Sequence, residues 1–493
     1  MISCPATVQS APEQNQVLTS AQLQRDVAIL RQSYELLHPG LYRYSDKAEM
    51  DEKFEDLRNR LSHDQTLGEA YLALSQFAAE VKCGHTYANF FNQSNAVANR
   101  LFKNRDRVPF YFVWINHTMV VTRDFTPDHR LSKGTQILAI NGVSTPEILS
   151  RLMTIARADG SNDAKRVASL EVSGDSKYET FDIFFPLLFP QEVPTMTLQL
   201  QTPEGLTSEV AVRPLSFEER IAPIAQREEG RKGGDEVQFE WRTLEDGSSY
   251  LRMPTWALFN SKWNWKSWLN ERLDQLVDSN APAFIIDLRG NEGGLDVGNL
   301  ILTRLVSHDI TLSSSKRLVR YRKVPDELLP FLDTWDPSFK DWGSEAVELG
   351  APWTTAPPVD YFLLKRYDDA PDGDRIIAAA KHYGGKVFVL IDANNSSATF
   401  QFAQVIHQNE LGVLVGEPTG GNQRGINGGA FFFLRLPESG IELDLPLIGY
   451  FPTSAMPDEG IQPDIDVELL QKDIALGKDA VMDAVASQVR QLH

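Results

Sequence analysis

Cysteine is almost missing from this chain, with Cys4 and Cys83 the only two among 493 residues. Two thiols cannot build a disulfide framework, and neither sits in a metal-ligand spacing, so no stapled scaffold and no structural metal are expected. Long apolar runs are missing too. None approaches the roughly 18–20 residues needed to cross a bilayer, so no integral membrane span is expected. Positive charge is in deficit, with 48 Lys and Arg against 67 Asp and Glu and a net charge of -19. That argues against nucleic acid as a partner, because phosphate binding needs a basic surface. It also disfavours adhesion to anionic membranes. The first twenty residues are polar and rich in Ser, Gln and Pro, and they lack the apolar core of a signal peptide.

What is present fits a globular protein with a sizeable core: 42% hydrophobic and 23% charged residues. The length is enough for two or three domains. Residues 1–20 read as a disordered leader, 21–95 as a helical region, 96–215 as a β-rich segment and 216–493 as an α/β core.

The stretch from Lys386 to Gly421 organises the rest. Val387–Asp392 is an apolar run of strand length that breaks at Asn394-Asn395. Ser396-Ser397 then open a helical pattern to about Gln408, and a second apolar run, Gly412–Gly416, ends at Glu417-Pro418. A serine at such a turn stands at a helix N-terminus, where free N–H groups and the helix dipole favour developing negative charge. That suits a nucleophile whose intermediate carries an oxyanion. A serine that merely caps the helix would give the same local pattern.

Upstream, Leu23, Val27, Leu30, Leu37, Phe54, Leu57 and Leu61 recur at mostly helical spacing. Ser45-Asp46 marks a helix start, and Thr66 to Glu69 resembles a capping box. The third helix, about Leu67–Val81, runs into Cys83-Gly84-His85-Thr86, followed by an apolar run, Tyr87–Phe91, read as extended. Histidine is the side chain best suited to general base work near neutral pH, although a helix-end histidine can also simply satisfy terminal carbonyls.

In the β-rich segment, Phe110–Ile115 and Met119–Thr122 read as strands. Lys133 to Val143 reads as turn, strand and Asn141-Gly142 turn, with a helix from Pro146. Arg157–Thr180 is polar and reads as a loop insertion, and Ser216–Gly234 as a solvated helix or linker. In the last part strand and helix signals alternate, as in an α/β core. Ala283–Leu288 leads into Arg289-Gly290-Asn291-Glu292-Gly293-Gly294. A glycine pair there lets backbone N–H groups approach a substrate closely. The turn lacks dinucleotide-fingerprint spacing, and no Gly-Lys-Ser/Thr follows it. Lys316–Asp374, aromatic and rich in Pro and Asp, has little periodicity and reads as a long excursion over the site.

Six motifs in order carry a resemblance: Leu37-His38-Pro39-Gly40-Leu41-Tyr42, Gly84-His85-Thr86, Ile140-Asn141-Gly142, Asp287-Leu288-Arg289-Gly290-Asn291-x-Gly293-Gly294, Val415-Gly416-Glu417-Pro418-Thr419 and Gly460-Ile461-x-Pro463-Asp464-Ile465. The chain resembles the C-terminal processing and tricorn-type serine peptidases. The third motif resembles a PDZ-like signature, with Thr135 where that pattern has aspartate. The resemblance implies an α/β multidomain fold with a crotonase/Clp-protease-like ββα superhelix core. It also implies a serine endopeptidase that needs no cofactor and takes a peptide or protein substrate.

In the family the nucleophile lies nineteen residues before the first glycine of the Gly-Glu-Pro-Thr run, which gives Ser397, with Ser396 as fallback. The processing branch places a lysine base where this chain has Asn422, so a Ser-Lys dyad is not expected. The tricorn-like branch uses a histidine, matched by His85, and an acid, matched by Glu459 with Asp458 beside it. Where such members have a serine before the histidine, this chain has Gly84. The resemblance further implies an oxyanion hole from the N–H groups of Gly293 and Ala398, and an exported or cell-envelope location, with a removed signal or a lipid on Cys4 as routes. Two other readings stay open: a non-catalytic ligand- or peptide-binding protein on the same fold, and a hydrolase of non-peptide esters or amides.

Overall fold

A computed structural model describes residues 17–104, 106–190, 194–230, 239–312, 315–353, 355–368 and 375–491. Most of the expected leader, residues 1–16, lies outside the described residues. Its last part is ordered, because Val17 and Leu18 pair with Thr66 and Gln65. Three helices follow, Ser20–Leu37, Lys47–Arg60 and Leu67–Glu80. Each starts with a complete capping box, Thr19 with Gln22, Asp46 with Glu49 and Thr66 with Glu69, so orphan N–H groups are satisfied from both sides.

The β-rich segment is an antiparallel sheet ordered Phe110–Ile115, Thr118–Asp124, Gln136–Ile140, Met196–Gln201, Thr207–Val212. Asn141 and Gly142 both have positive φ, 51° and 81°, which a two-residue turn matching the strand twist requires. Arg157–Thr180, read above as an insertion, contains the helix Asp163–Ser169, and its buried polar residues Asp159, Asn162 and Lys165 face the rest of the protein. Tyr87–Phe91 is not extended; Phe91 N–H returns to Asn89 Oδ1 and Asn92 N–H to the Asn89 carbonyl, making a turn.

Lys316–Asp374 is more ordered than its sequence suggested. Ser315–Val319, Phe362–Leu364 and Ala346–Glu348 are strands of one sheet with the hairpin Asn427–Arg435 and Glu442–Pro452. These strands are too short for a period of two to show, and the aromatic residues between them, such as Tyr321, Phe339 and Trp342, are buried in the core. That core is continuous from the N-terminal helices (Leu30, Phe54, Phe77) through the β-rich segment (Phe110, Phe112) to the hairpin (Phe432, Leu445).

The third sheet has the order Ile465–Asp466, Val413–Gly416, Lys386–Ile391, Ala283–Asp287, Ser249–Arg252, Glu240–Thr243, parallel except for its last pair. Its central strand is buried on both faces, as in parallel sheets generally. Phe284 and Ile286 meet the helices Trp265–Asp278, Val297–Leu305 and Ser397–Gln408, while Ile285 meets Val485 and Val489 of the helix Ala480–Arg490. Turns at the carboxyl ends of Ala283–Asp287 and Lys386–Ile391 lie side by side, where parallel α/β sheets place their ligands.

Candidate active site

The first turn, Leu288–Gly294, is anchored by Asp287. This carboxylate is buried and takes bonds from Arg289 Nη2 at 2.7 Å and the Tyr250 hydroxyl at 2.8 Å. Burial pushes its pKa up, but Arg289 and Arg252 outweigh that and hold it below the usual aspartate value. Buried Asn291 donates to the Met253 carbonyl at 2.8 Å and accepts from Gly293 N–H at 2.9 Å. Gly293 has φ 99°. A Cβ there would lie 2.8 Å from the Ser396 carbonyl oxygen and 2.9 Å from both Ala398 N and Ser397 Cβ. Only glycine lets the two turns come this close.

The second turn, Asp392–Ser396, is tied to the first at several points. Asn395 Nδ2 donates to the carbonyls of Leu288 at 2.6 Å and Asn291 at 3.1 Å. Thr399 Oγ1 donates to the Asn291 carbonyl and Gly290 N–H to Asp392 Oδ2. Ser396 is the helix N-cap but makes no capping bond, and its hydroxyl goes to the Glu292 carbonyl at 3.2 Å. Ser397 opens the helix with φ 52°, a region that a residue with a Cβ seldom occupies. A serine on a sharp strand-to-helix turn with strained backbone is how hydrolases present a nucleophile. Beside it Ala398 N–H belongs to the first helical turn, whose donors have no partner within the helix.

His85 sits in a tight turn, closed by Thr86 N–H to the Cys83 carbonyl at 3.0 Å. Its Nδ1 is buried without a partner, and its ring centre lies 5.8 Å from that of Phe431. Burial lowers the imidazole pKa below its ordinary value; Asp159 opposes this, Arg157 adds to it, Glu292 opposes it and Lys165 adds to it. Glu292 connects the two halves: its carboxylate acts on His85 while its carbonyl holds Ser396. Lys165, first, and Arg157 pull the Glu292 carboxyl down to about 2 against the effect of burial. Arg157 links the two loops, donating to the Gly84 carbonyl while its guanidinium lies 3.8 Å from the Glu292 carboxylate, and no hydrogen bond joins His85 to Ser397 among the described residues.

The acids at 458 and 459 differ in their settings. Glu459 is exposed, and its backbone carbonyl takes Gln423 N–H at 2.9 Å. Asp458 spends its carboxylate on Ser161 N–H and Oγ, both at 2.9 Å, and on Asn422 Nδ2 at 2.7 Å. Asn422, at the family's lysine position, is buried and also donates to the Asp159 carbonyl at 3.2 Å. Gly293 N–H is already given to Asn291. Asp159, Arg157, Lys165 and Glu292, which surround His85, were not singled out from the sequence. Asn162 before Asp163 was a usable capping signal for the helix, since Asn162 Oδ1 accepts Lys165 N–H at 3.1 Å, but nothing local marked the site.

Two cavities flank Ser397. One of about 660 Å³ is lined by Phe90, Phe91, Arg157, Glu292, Gly293 and Asn394. The other, about 130 Å³, is lined by Trp256, Ala398, Gln401 and Tyr450. Among the described residues, no group of three or more His, Cys, Asp or Glu is placed to hold a metal ion, and no helix is long and apolar enough to cross a membrane.

Residues 247–467, which include both turns, match the profile of peptidase family S41. Within that stretch the chain has the sequence pattern of an S41 peptidase. It is a serine-type peptidase. The fold is also similar to that of mature CPAF complexed with lactacystin, with a TM-score of 0.61 and 16% identity over 96% of this chain and 99% of that one. The photosystem II D1 C-terminal processing protease gives a TM-score of 0.40 at 14% identity, over 94% of this chain and 98% of that one. Tricorn protease gives 0.36 at 14% identity, over 95% of this chain and 37% of that one. The last two likenesses are too distant to argue from. Curated protein sequences give no match.

Proposed function

We propose that this S41 peptidase is an endopeptidase that works through an acyl-enzyme, with Ser397 as nucleophile and His85 as base. The observation that carries this is the backbone of Ser397, held at φ 52° on a strand-to-helix turn against Gly293. Ser397 Oγ would bond to the scissile carbonyl carbon as its proton passes to His85. The imidazolium would then give that proton to the leaving amine as the C–N bond breaks. Water, activated by the same imidazole, would release the acyl group.

Glu459 is assigned the role of orienting acid. In support, the neighbouring Asp458 ties this loop to Ser161 and Asn422, and Asn422 also donates to the carbonyl of Asp159, whose carboxylate holds Gly84 N–H. Ala398 N–H and Gly293 N–H are assigned to the oxyanion. Ala398 stands ready at the helix N-terminus, and Gly293 would exchange its bond to Asn291 Oδ1 for the oxyanion. The cavities on either side of Ser397 suit a peptide lying across the turn, and the PDZ-like sheet is assigned a share in holding it. An exported or cell-envelope location fits this reading and is proposed with it.

Intact-mass measurement after a fluorophosphonate probe tests the assignment. Wild type and Ser396→Ala should gain one adduct, Ser397→Ala and His85→Ala none, and Glu459→Gln should label at least tenfold more slowly. If wild type stays unmodified, the catalytic reading is lost and a ligand-binding protein takes its place.

A further inference from the structure

The stretch Arg157–Lys165 touches every loop of the site. Arg157 donates to the Gly84 carbonyl, and Asn162 Nδ2 to the carbonyls of Thr419 and Gly421. Ser161 holds Asp458, and Lys165 Nζ reaches both Glu292 and the Asn394 carbonyl. Within this stretch Asp159, like Arg157, holds the residue before the histidine. It is only 2% exposed, and its Oδ1 accepts Gly84 N–H at 2.9 Å. A Cβ on Gly84 would lie 2.9 Å from Asp159 Oδ2 and 3.3 Å from its Cγ. The carboxylate thus occupies the space that a side chain at position 84 would take.

The same carboxylate is the strongest charge favouring a protonated His85, ahead of Glu292; Arg157 and Lys165 act the other way. His85 Nδ1 is buried and unpaired, so its charged form depends on such through-space support. Glu459, by contrast, is exposed.

We propose that Asp159 is a second positioning residue for His85, beside the orienting acid: it fixes the Gly84–His85 turn and stabilises the imidazolium, taking over a role that a polar side chain at position 84 would otherwise have. This rests on the reading of Ser397 and His85 as nucleophile and base. In this role Asp159 touches neither substrate nor the reacting atoms. Its size and place explain why residue 84 is glycine.

Two readouts test it across about pH 4 to 9: the rate of fluorophosphonate labelling at Ser397, and the NMR titration of the His85 ring proton, identified by its loss in His85→Ala. Asp159→Asn keeps an oxygen for Gly84 N–H and removes the charge. The His85 midpoint should fall by about one pH unit, the acid limb of labelling should move down with it, and the plateau rate should drop roughly tenfold. A purely structural Asp159 would leave midpoint and limb where they are, and that result overturns the proposal. Should Asp159→Asn fail to fold, Gly84→Ala pushes the carboxylate away sterically and should lower the midpoint in the same direction; an unchanged midpoint there is equally fatal. Wild type that never labels would defeat the Ser397–His85 reading and this proposal with it. A labelling-competent Asp159→Asn with an unmoved midpoint defeats this proposal alone.

Discussion

Lys165 Nζ lies 2.5 Å from Glu292 Oε1, joining a helix of the β-rich segment to the glycine turn beside Ser397. The lysine side chain is 5% exposed and the glutamate 51%. Lys165 also reaches the Asn394 carbonyl at 3.2 Å, so one ammonium grips both turns that shape the Ser397 region. The β-rich segment is in this way a structural part of the site.

Removing that ammonium should therefore cost activity more than stability. In Lys165→Met the expected loss of stability is ~1–2 kcal/mol, less than for a fully buried pair because Glu292 is half exposed. Labelling at Ser397 should fall about a hundredfold, since the two turns lose their common anchor. The sign with pH follows from the depressed Glu292 carboxyl. Its contribution is fully present above its unfolded value and fades as pH falls through about 2. Acid unfolding followed by circular dichroism should thus begin at higher pH in the variant. Equal acid midpoints for the two proteins would refute the pairing.

Gly293→Ala isolates the close approach of the two turns. At φ 99° and with 2.8–2.9 Å to three atoms around Ser397, an added methyl must push the Ser397 turn aside. Labelling should fall by at least a hundredfold while the thermal midpoint drops only a few degrees, because the strain is local. A variant that labels at the wild-type rate would mean that the turns are not held as described.

How much of this could be read from the sequence depended on range. The helix start at Asp46, the capping box at Thr66, the Asn141-Gly142 turn and the helix opening at Ser397 are set by near neighbours in the chain, and they were legible. Lys316–Asp374 was not, because its strands are short and their partners lie in the hairpin Asn427–Pro452. Arg157–Lys165 was read as an insertion because its bonds reach across 75 residues to Gly84 and 297 to Asp458. Asp159, which lies beside Gly84, had no local pattern to announce it, whereas the acid at Glu459 was read from its place just before Gly460.

The His85 environment predicts the pH profile. Burial lowers the imidazole pKa despite Asp159 and Glu292, so the neutral base should persist below the usual histidine range. The acid limb of labelling should be centred below pH 6.5. Stability runs the same way: below 6.5 the unfolded chain binds a proton that folded His85 resists, so folding weakens as pH falls. His85→Ala should lessen that dependence in urea titrations between about pH 5 and 7. An acid limb centred above 6.5 would contradict the burial of the ring.

Far from the site, Asp26 tests the joint between the first helix and the hairpin. Its carboxylate is 1% exposed and accepts N–H bonds from Glu438 and Ser439, both at 2.9 Å, where the chain turns between the two long strands. Burial raises its pKa despite those bonds. Asp26→Ala leaves two inward-facing N–H groups without partners, at an expected cost of ~2–3 kcal/mol in denaturant unfolding. Because the hairpin carries Phe431, whose ring packs on His85, a slackened turn would be felt at the site if the strands shifted. The core contacts of Phe432, Leu434, Leu443 and Leu445 hold those strands in register independently of the turn. Labelling at Ser397 should therefore stay within twofold of wild type at temperatures where the variant is folded. A large loss of labelling in folded Asp26→Ala would show that the turn, and not the core, sets the position of Phe431.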